Sequence, residues 1–316
     1  MAEATVEVNV AQAPVTLGDL QGGAYRRRRE SLIRAVFRSA AVLSIVINAL
    51  IVISLLDGTV DFLGRVDPSA LWTSGWFPRR GLFDVRTIVA GTLLVSAVAM
   101  VVATPLGLGA AMYLSEYAGR RARRYLKPIL EVLAGIPSVV LGYFALTWIS
   151  PNIMQRFADA TAFNLGAAGI GVGILITPLV ASVAEDAMHA VPASLREASY
   201  GLGATKRTTT LRTVFPGAVS GIVAALILGL SRAIGETLVV AIAAGATGGS
   251  LFSLDITQPG QTMTAAMTAL ATGSDQVKGA SEAFPSLFFV GMLLFLMTLS
   301  LNVVSERFVR RIRQRY

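Results

Sequence analysis

The sequence predicts an all-α, polytopic membrane protein, and three observations carry that expectation. Of its 316 residues, 54% are hydrophobic and only 15% are charged, and mean hydropathy is +0.64. A soluble globule carries about 25% charged residues, so a water-soluble enzyme is excluded. Six regions are free, or nearly free, of charge over about 18 residues or more, the length that crosses about 30 Å of hydrocarbon. The basic residues outside these regions are divided unevenly: 20 fall on one side of the implied membrane and six on the other. That bias places both termini in the cytoplasm. It also accounts for the net charge of +8 and the pI near 10.3 without nucleic acid, because the anionic inner leaflet suits those charges.

The segments follow in order. Residues 1–30 read as a polar, disordered cytoplasmic arm; they lack the basic start and apolar stretch of a secretory signal, since Arg26–Arg29 come late. A transmembrane domain follows over 31–306. Its uncharged runs are Ser39–Leu56, Thr87–Ser115, Val132–Gln155, Ala160–Ala184, Thr213 to about Gly245, and Ala283–Ser305. Arg232 and Glu236 interrupt the fifth. Helices are the expected form, because lipid leaves backbone groups no other partners. Ile256–Ser274 is also uncharged, but a seventh crossing would put the C-terminal arginines outside. It reads instead as an outer loop with a short helix around Thr262–Ala271. Residues 307–316 form a basic cytoplasmic tail.

Cysteine is absent and His189 is the only histidine. Disulfides, thiolate or histidine-cluster metal sites and a thiol nucleophile are thereby excluded, and a Ser-His-Asp triad is disfavoured. Pro105 and Pro178 each follow a threonine inside a run, and Pro137 lies in Gly135-Ile136-Pro137-Ser138; each removes a backbone hydrogen bond and is expected to kink its helix. The glycines of Gly166–Gly173 suit close helix packing rather than a nucleotide cradle. Asn48 and Asn302 suit bonds between helices.

The longest cytoplasmic connection, about Glu185–Phe215, is the most informative segment, above all its loop 192–216. Pro192 suits a helix start and Gly203 a helix stop with a sharp turn. Thr205 could cap a second short helix, and Pro216 could open the fifth span. The spacing Glu197-Ala198-Ser199, three residues, Gly203, nine residues, Thr213-Val214-Phe215-Pro216 resembles the EAA loop of ATP-binding-cassette importer permeases. It departs from that pattern at Ser199, Thr213 and Phe215. Two further stretches, "GTLLVSAVAMVVATPLGLGAAMYLSEYAGRRARRYLKPILEVLAGIPSVVLGYF" and "LSRAIGET", resemble the permease subunits of the phosphate-specific transport system. The N-terminal span, the long first loop and Tyr113–Tyr117 are closer to its C-type than to its A-type subunit. The resemblance covers about Arg34 to Val304.

The resemblance implies a six-helix type I importer core, a non-catalytic permease that imports inorganic phosphate through the cytoplasmic membrane. It implies an ATPase coupling loop carried by Glu197, Ala198, Ser199, Gly203 and Pro216. It implies as partners a second related permease, a cytoplasmic ATPase dimer and an extracytoplasmic phosphate-binding protein, besides membrane lipid. No cofactor is expected in this chain, since the partner ATPase would bind ATP and magnesium; Gly201–Lys206 lacks the Gly-Lys pair of a Walker loop.

Arg232 and Glu236 are the expected substrate-pathway residues. Four apart on one helix, they would share a face. A charge at the centre of a span costs about 2.5–3.5 kcal/mol, so both need an interior or watery face. They could form a self-neutralising structural pair. Alternatively, Arg232 could be an anion station, its forked guanidinium matched to phosphate oxygens and controlled by Glu236. Counted from Pro216, Arg232 lies roughly 24 Å along a continuous helix. Three other readings compete: a permease for another oxyanion such as phosphonate or molybdate, a secondary transporter or channel, and a membrane-embedded hydrolase. Glu236 is the only carboxylate within the spans, and the lone His189 lies in a loop, which weakens the last two.

Overall fold

The computed structural model describes residues 24–73, 75–245, 249–273 and 282–312, and it is built almost wholly of helices. Its elements are α1 (Ala24–Arg65), β1 (Gly75–Phe77), β2 (Leu82–Phe83), α2 (Val85–Met112), α3 (Arg120–Ala134), α4 (Ser138–Phe144), α5 (Gln155–Ala158), α6 (Leu165–His189), α7 (Ala193–Gly201), α8 (Lys206–Thr209), α9 (Phe215–Gly217), α10 (Val219–Ile234), α11 (Leu238–Ala243), β3 (Ser250–Leu251), α12 (Met263–Ala271) and α13 (Pro285–Ile312). Wide π turns prolong α2 over Tyr113–Tyr117, join α4 to α5 over Ala145–Met154, and join α8 to α9 over Thr210–Val214.

Four helices are long and apolar enough to cross a membrane: Arg29–Arg65, Val85–Tyr117, Leu165–His189 and Pro285–Arg307. Two bent pairs bring the number to six if each pair is one span. Arg120–Ala134 and Ser138–Ala158 meet at 87°, and Lys206–Gly217 and Val219–Ile234 at 70°. Each uncharged run therefore falls on one crossing. The third and fifth, however, are broken rather than kinked, and proline marks both breaks. Pro137 stands immediately before α4, where the chain is extended, and Pro216 lies in the one-turn α9. Pro105 and Pro178 stay inside continuous helices.

The chain divides into two compact units, Met1–Ser54 and Leu55–Tyr316. In the first, the described part is helix from Ala24 onward. Helix thus begins inside the segment expected to be a disordered arm; residues 1–23 lie outside the described residues. Asn48 bonds Ser44 O at 2.7 Å along its own helix, not a neighbouring one. The C-terminal segment expected as a tail continues α13 as far as Ile312, and residues 313–316 lie outside the described residues.

In the second unit the core forms where small residues let α2 and α6 approach. A methyl group on Gly169 would lie 2.6 Å from Val98 Cβ and 3.1 Å from Val95 O. One on Gly173 would lie 2.7 Å from Val102 Cβ and 2.8 Å from Ala99 O. The glycine-rich run is therefore a packing surface. Around it Val95, Ala99, Leu141, Ile149, Val172, Ile176 and Val239 form one buried cluster. A second cluster gathers Phe62, Trp76, Phe83, Ile88, Met263 and Val290. The third, with Ala111, Ala184, Met188, Val214 and Ile222, lies under the α7–α8 segment.

A small antiparallel sheet, ordered β2–β1–β3, ties the first loop to the loop before α12. Trp76 faces Phe83 on one side and Ser250 on the other. Hydrogen bonds from Ser69 hold the Asp67 carboxyl below its usual range, and bonds from Thr257 do the same for Asp255. The uncharged segment after β3 is the expected loop and short helix, with Thr262 capping α12 by accepting from Ala265 N at 3.2 Å.

Candidate functional site

The first group of residues surrounds the end of α10. This helix stops at Ile234, and Gly235 and Thr237 separate it from α11. Arg232 sits in the last turn of α10 and is exposed, a position where a cation suits the helix dipole. Glu236 lies in the break and is 9% exposed. The expectation that the two share a helix face is thus corrected: the helix ends between them. Among the described residues no ion pair joins Arg232 to Glu236, which removes the self-neutralising structural pair. The break also shortens the path, because Pro216 belongs to a differently directed segment. Measured from Val219, Arg232 lies about 20 Å along α10.

Glu236 meets the polar start of α12 through Thr264. Thr264 Oγ1 donates to Glu236 O at 2.8 Å and lies 3.0 Å from Thr262 Oγ1. Thr92 Oγ1 accepts from Met263 N at 3.0 Å, joining α2 to the start of α12. Ser96 Oγ and both side-chain polar atoms of Gln261 are buried without a partner among the described residues. Ser231 donates to Asn302 at 3.2 Å, the interhelical bond expected of Asn302. Thr262, Thr264 and Gln261 lie in the segment that the sequence predicts only as a loop and short helix. They have no charge to advertise them.

The second group is the α7–α8 segment. Glu197 and Ala198 are exposed on α7, and Ser199 is half-buried, its hydroxyl 2.9 Å from Thr209 Oγ1. Gly203 has φ +77° and nothing within 4 Å of the position a side chain would take. Its strain for other residues is therefore conformational. Gly203 N bonds Tyr200 O at 2.9 Å and Ala204 N bonds Ser199 O at 3.1 Å, closing the turn after α7. Thr205 then caps α8, accepting from Thr208 N at 3.3 Å. Leu202, at the tip, is 90% exposed. The two helices and their glycine turn are as the sequence predicts. Pro216 stands apart from them, at the bend leading into α10.

Sequence reasoning missed the ion pairs that seat this end of the molecule. Arg123 pairs with the buried Glu185 at 3.0 Å, and Lys127 lies 3.5 Å from both Glu185 and Asp186. Arg196 pairs with Glu116 at 2.9 Å. Their arginines and lysines also belong to the basic bias that marks topology, which masks the pairing. The available signal was that Glu116 and Glu185 immediately follow two of the uncharged runs.

The comparisons with known proteins bear on the family and the fold. Residues 103–315 match a family described as the binding-protein-dependent transport system inner membrane component. The phosphate transport system permease protein PstC of Pasteurella multocida is 30% identical, over 90% of this chain and 93% of that protein. The protein of the same description from Mesorhizobium japonicum is 30% identical, over 90% and 92%. The probable ABC transporter permease protein YqgH of Bacillus subtilis is 35% identical, over 68% and 71%. Among solved structures, a bacterial alginate ABC transporter in complex with an alginate-bound periplasmic protein has a TM-score of 0.65 at 16% identity, over 90% of this chain and 96% of that one. The inward-facing MetNI methionine transporter has a TM-score of 0.51 at 21% identity, over 76% and 97%. At such identities the structural likeness concerns the fold alone.

Proposed function

The chain belongs to the inner membrane components of binding-protein-dependent transport systems, and from that premise we propose that it is the C-type permease subunit of an ATP-driven importer of inorganic phosphate. The substrate follows the phosphate permeases similar to it over nine-tenths of its length. The observation that carries the mechanism is the α7–Gly203–α8 turn, which presents Glu197 and Leu202 outward beneath an apolar bundle. A cytoplasmic ATPase dimer docks on that turn, binds ATP with magnesium, and performs the hydrolysis. A second permease completes the pathway, and an extracytoplasmic binding protein delivers phosphate to the opposite loops.

Arg232 is the anion station. Its guanidinium offers planar, forked donors to phosphate oxygens. The absence of an Arg232–Glu236 ion pair among the described residues supports this reading, since those donors face no competing carboxylate. Glu236, buried in the break between α10 and α11, controls when the station is attractive.

Purification of the chain with its partner subunits tests the assignment. The expected result is a co-purifying ATPase whose hydrolysis rises with phosphate-loaded binding protein. Gly203→Val forces a branched side chain into a positive φ, at a cost of about 1 kcal/mol or more. Together with Glu197→Lys, it is expected to leave the membrane bundle folded while separating ATP hydrolysis from uptake. Unaltered uptake in both variants would exclude this turn as the transmission. Stimulation by another oxyanion but not by phosphate would reassign the substrate.

A further inference from the structure

Helix α7 contains no fully buried residue, and only Leu195 leans on the apolar cluster beneath it. A docking element held so lightly by apolar contact needs another rigid attachment if its movement is to reach the spans. The structure supplies one in Arg196, whose side chain is 18% exposed although it stands beside the exposed Glu197.

The guanidinium of Arg196 turns inward and distributes its donors over two spans. Its Nε and Nη2 reach Glu116 Oε1 at 3.3 and 2.9 Å. Nη2 also donates to Met188 O at 2.8 Å, and Nη1 donates to Val191 O. Glu116 lies in the π turn that ends the α2 span, and its side chain is 6% exposed. Met188 O and Val191 O are carbonyls at and just beyond the end of α6, where the helix dipole favours a cation; Met188 O also accepts from Val191 N at 3.3 Å. One planar group thus joins α7 to the ends of both α2 and α6. These are the two helices that interlock through Gly169 and Gly173. A lysine has the charge but not the fork to make all of these bonds.

We propose that Arg196 is the positioning residue that transmits movement of α7 to α2 and α6, with Glu116 as its anchor. This rests on α7 being the ATPase-docking element. Arg196 itself faces away from the docked partner, so its effect is on coupling rather than capture.

The test uses the complete transporter in proteoliposomes, with Leu202→Cys as a crosslinking reporter of ATPase docking and phosphate imported per ATP hydrolysed as the readout. Glu116→Gln and Arg196→Gln are each expected to retain the crosslink while the phosphate-to-ATP ratio falls about tenfold. Arg196→Lys is expected to fall between them and the parent. The double Gln variant should be no worse than either single variant, because both remove one link. An unchanged ratio in both single variants, with the crosslink retained, overturns the proposal. So does loss of assembled complex when the fraction that still assembles is coupled as well as the parent, since the pair is then structural. Absence of the crosslink in the otherwise unaltered parent removes the docking reading first, and the proposal with it.

Discussion

Arg232 shows how much a single backbone break changes the chemistry of a residue. On a continuous helix a glutamate four residues later would sit beside it, and the pair would neutralise itself. Gly235 ends α10 instead, and Glu236 spends its backbone carbonyl on Thr264 while Arg232 remains exposed. The sequence sets the two charges inside an apolar run, and the glycine that separates them is a stop only in the structure. Glycine within a membrane span also permits an unbroken helix, so composition alone does not decide the matter. The functional consequence is testable. Arg232→Gln removes the attractive charge and should abolish phosphate uptake. Arg232→Lys keeps the charge without the planar fork and should retain partial uptake at best. The swap Arg232→Glu with Glu236→Arg keeps net charge and moves the cation from the exposed end of α10 into the buried break. It should assemble with its partners yet fail to import radiolabelled phosphate. Uptake at the parental rate by a well-assembled swap would show that the position of the cation is immaterial, and the station would be lost.

At the scale of elements, spans were legible wherever the signal was simply length without charge. The glycine turn between α7 and α8 was legible because positive φ, helix stops and threonine caps each have a distinct local chemistry. The breaks at Pro137 and Pro216 were less so: proline announces a disturbance, but the angle it produces depends on what packs against each half. Here α11, which follows the second broken pair, packs against α4, the helix after the first break, where a methyl group on Gly142 would lie 3.1 Å from Val239 Cα. The α2–α6 contact gives this scale its prediction. Gly173→Ala adds a carbon 2.8 Å from the backbone oxygen of Ala99, and backbone cannot give way as a flexible side chain can. Overpacking of this kind costs about 1–3 kcal/mol. Gly109→Ala on α2 is the control, because there the added carbon meets nothing within 4 Å. There the better helix propensity of alanine should be felt instead, at about 1 kcal/mol of benefit. In detergent-solubilised protein, Gly173→Ala should therefore melt several degrees below the parent and Gly109→Ala at or above it. Equal melting of the two variants would mean that α2 and α6 are not in close contact.

Across the whole molecule, orientation follows from counting charges and crossings together. With six spans, the α7–α8 turn follows the fourth crossing and the β3–α12 loop follows the fifth, so they lie on opposite sides. A seventh crossing is excluded by geometry: α12 has nine residues, or about 14 Å of helix, against about 30 Å of hydrocarbon. We infer from the 20 basic residues on the α7–α8 side that this side is cytoplasmic, since anionic lipid attracts them and translocating them would be costly. The chain contains no cysteine, so single cysteines report on each side without background. Leu202 is 90% exposed and Leu254 is 66% exposed, which makes both accessible once the reagent reaches their side. A membrane-impermeant maleimide should label Leu254→Cys in intact cells and leave Leu202→Cys unreacted until the cells are permeabilised. Labelling of Leu202→Cys in intact cells would place the α7–α8 turn outside. It would then be beyond the reach of a cytoplasmic ATPase, and energy coupling through Glu197, Gly203 and Arg196 would fail on topology alone.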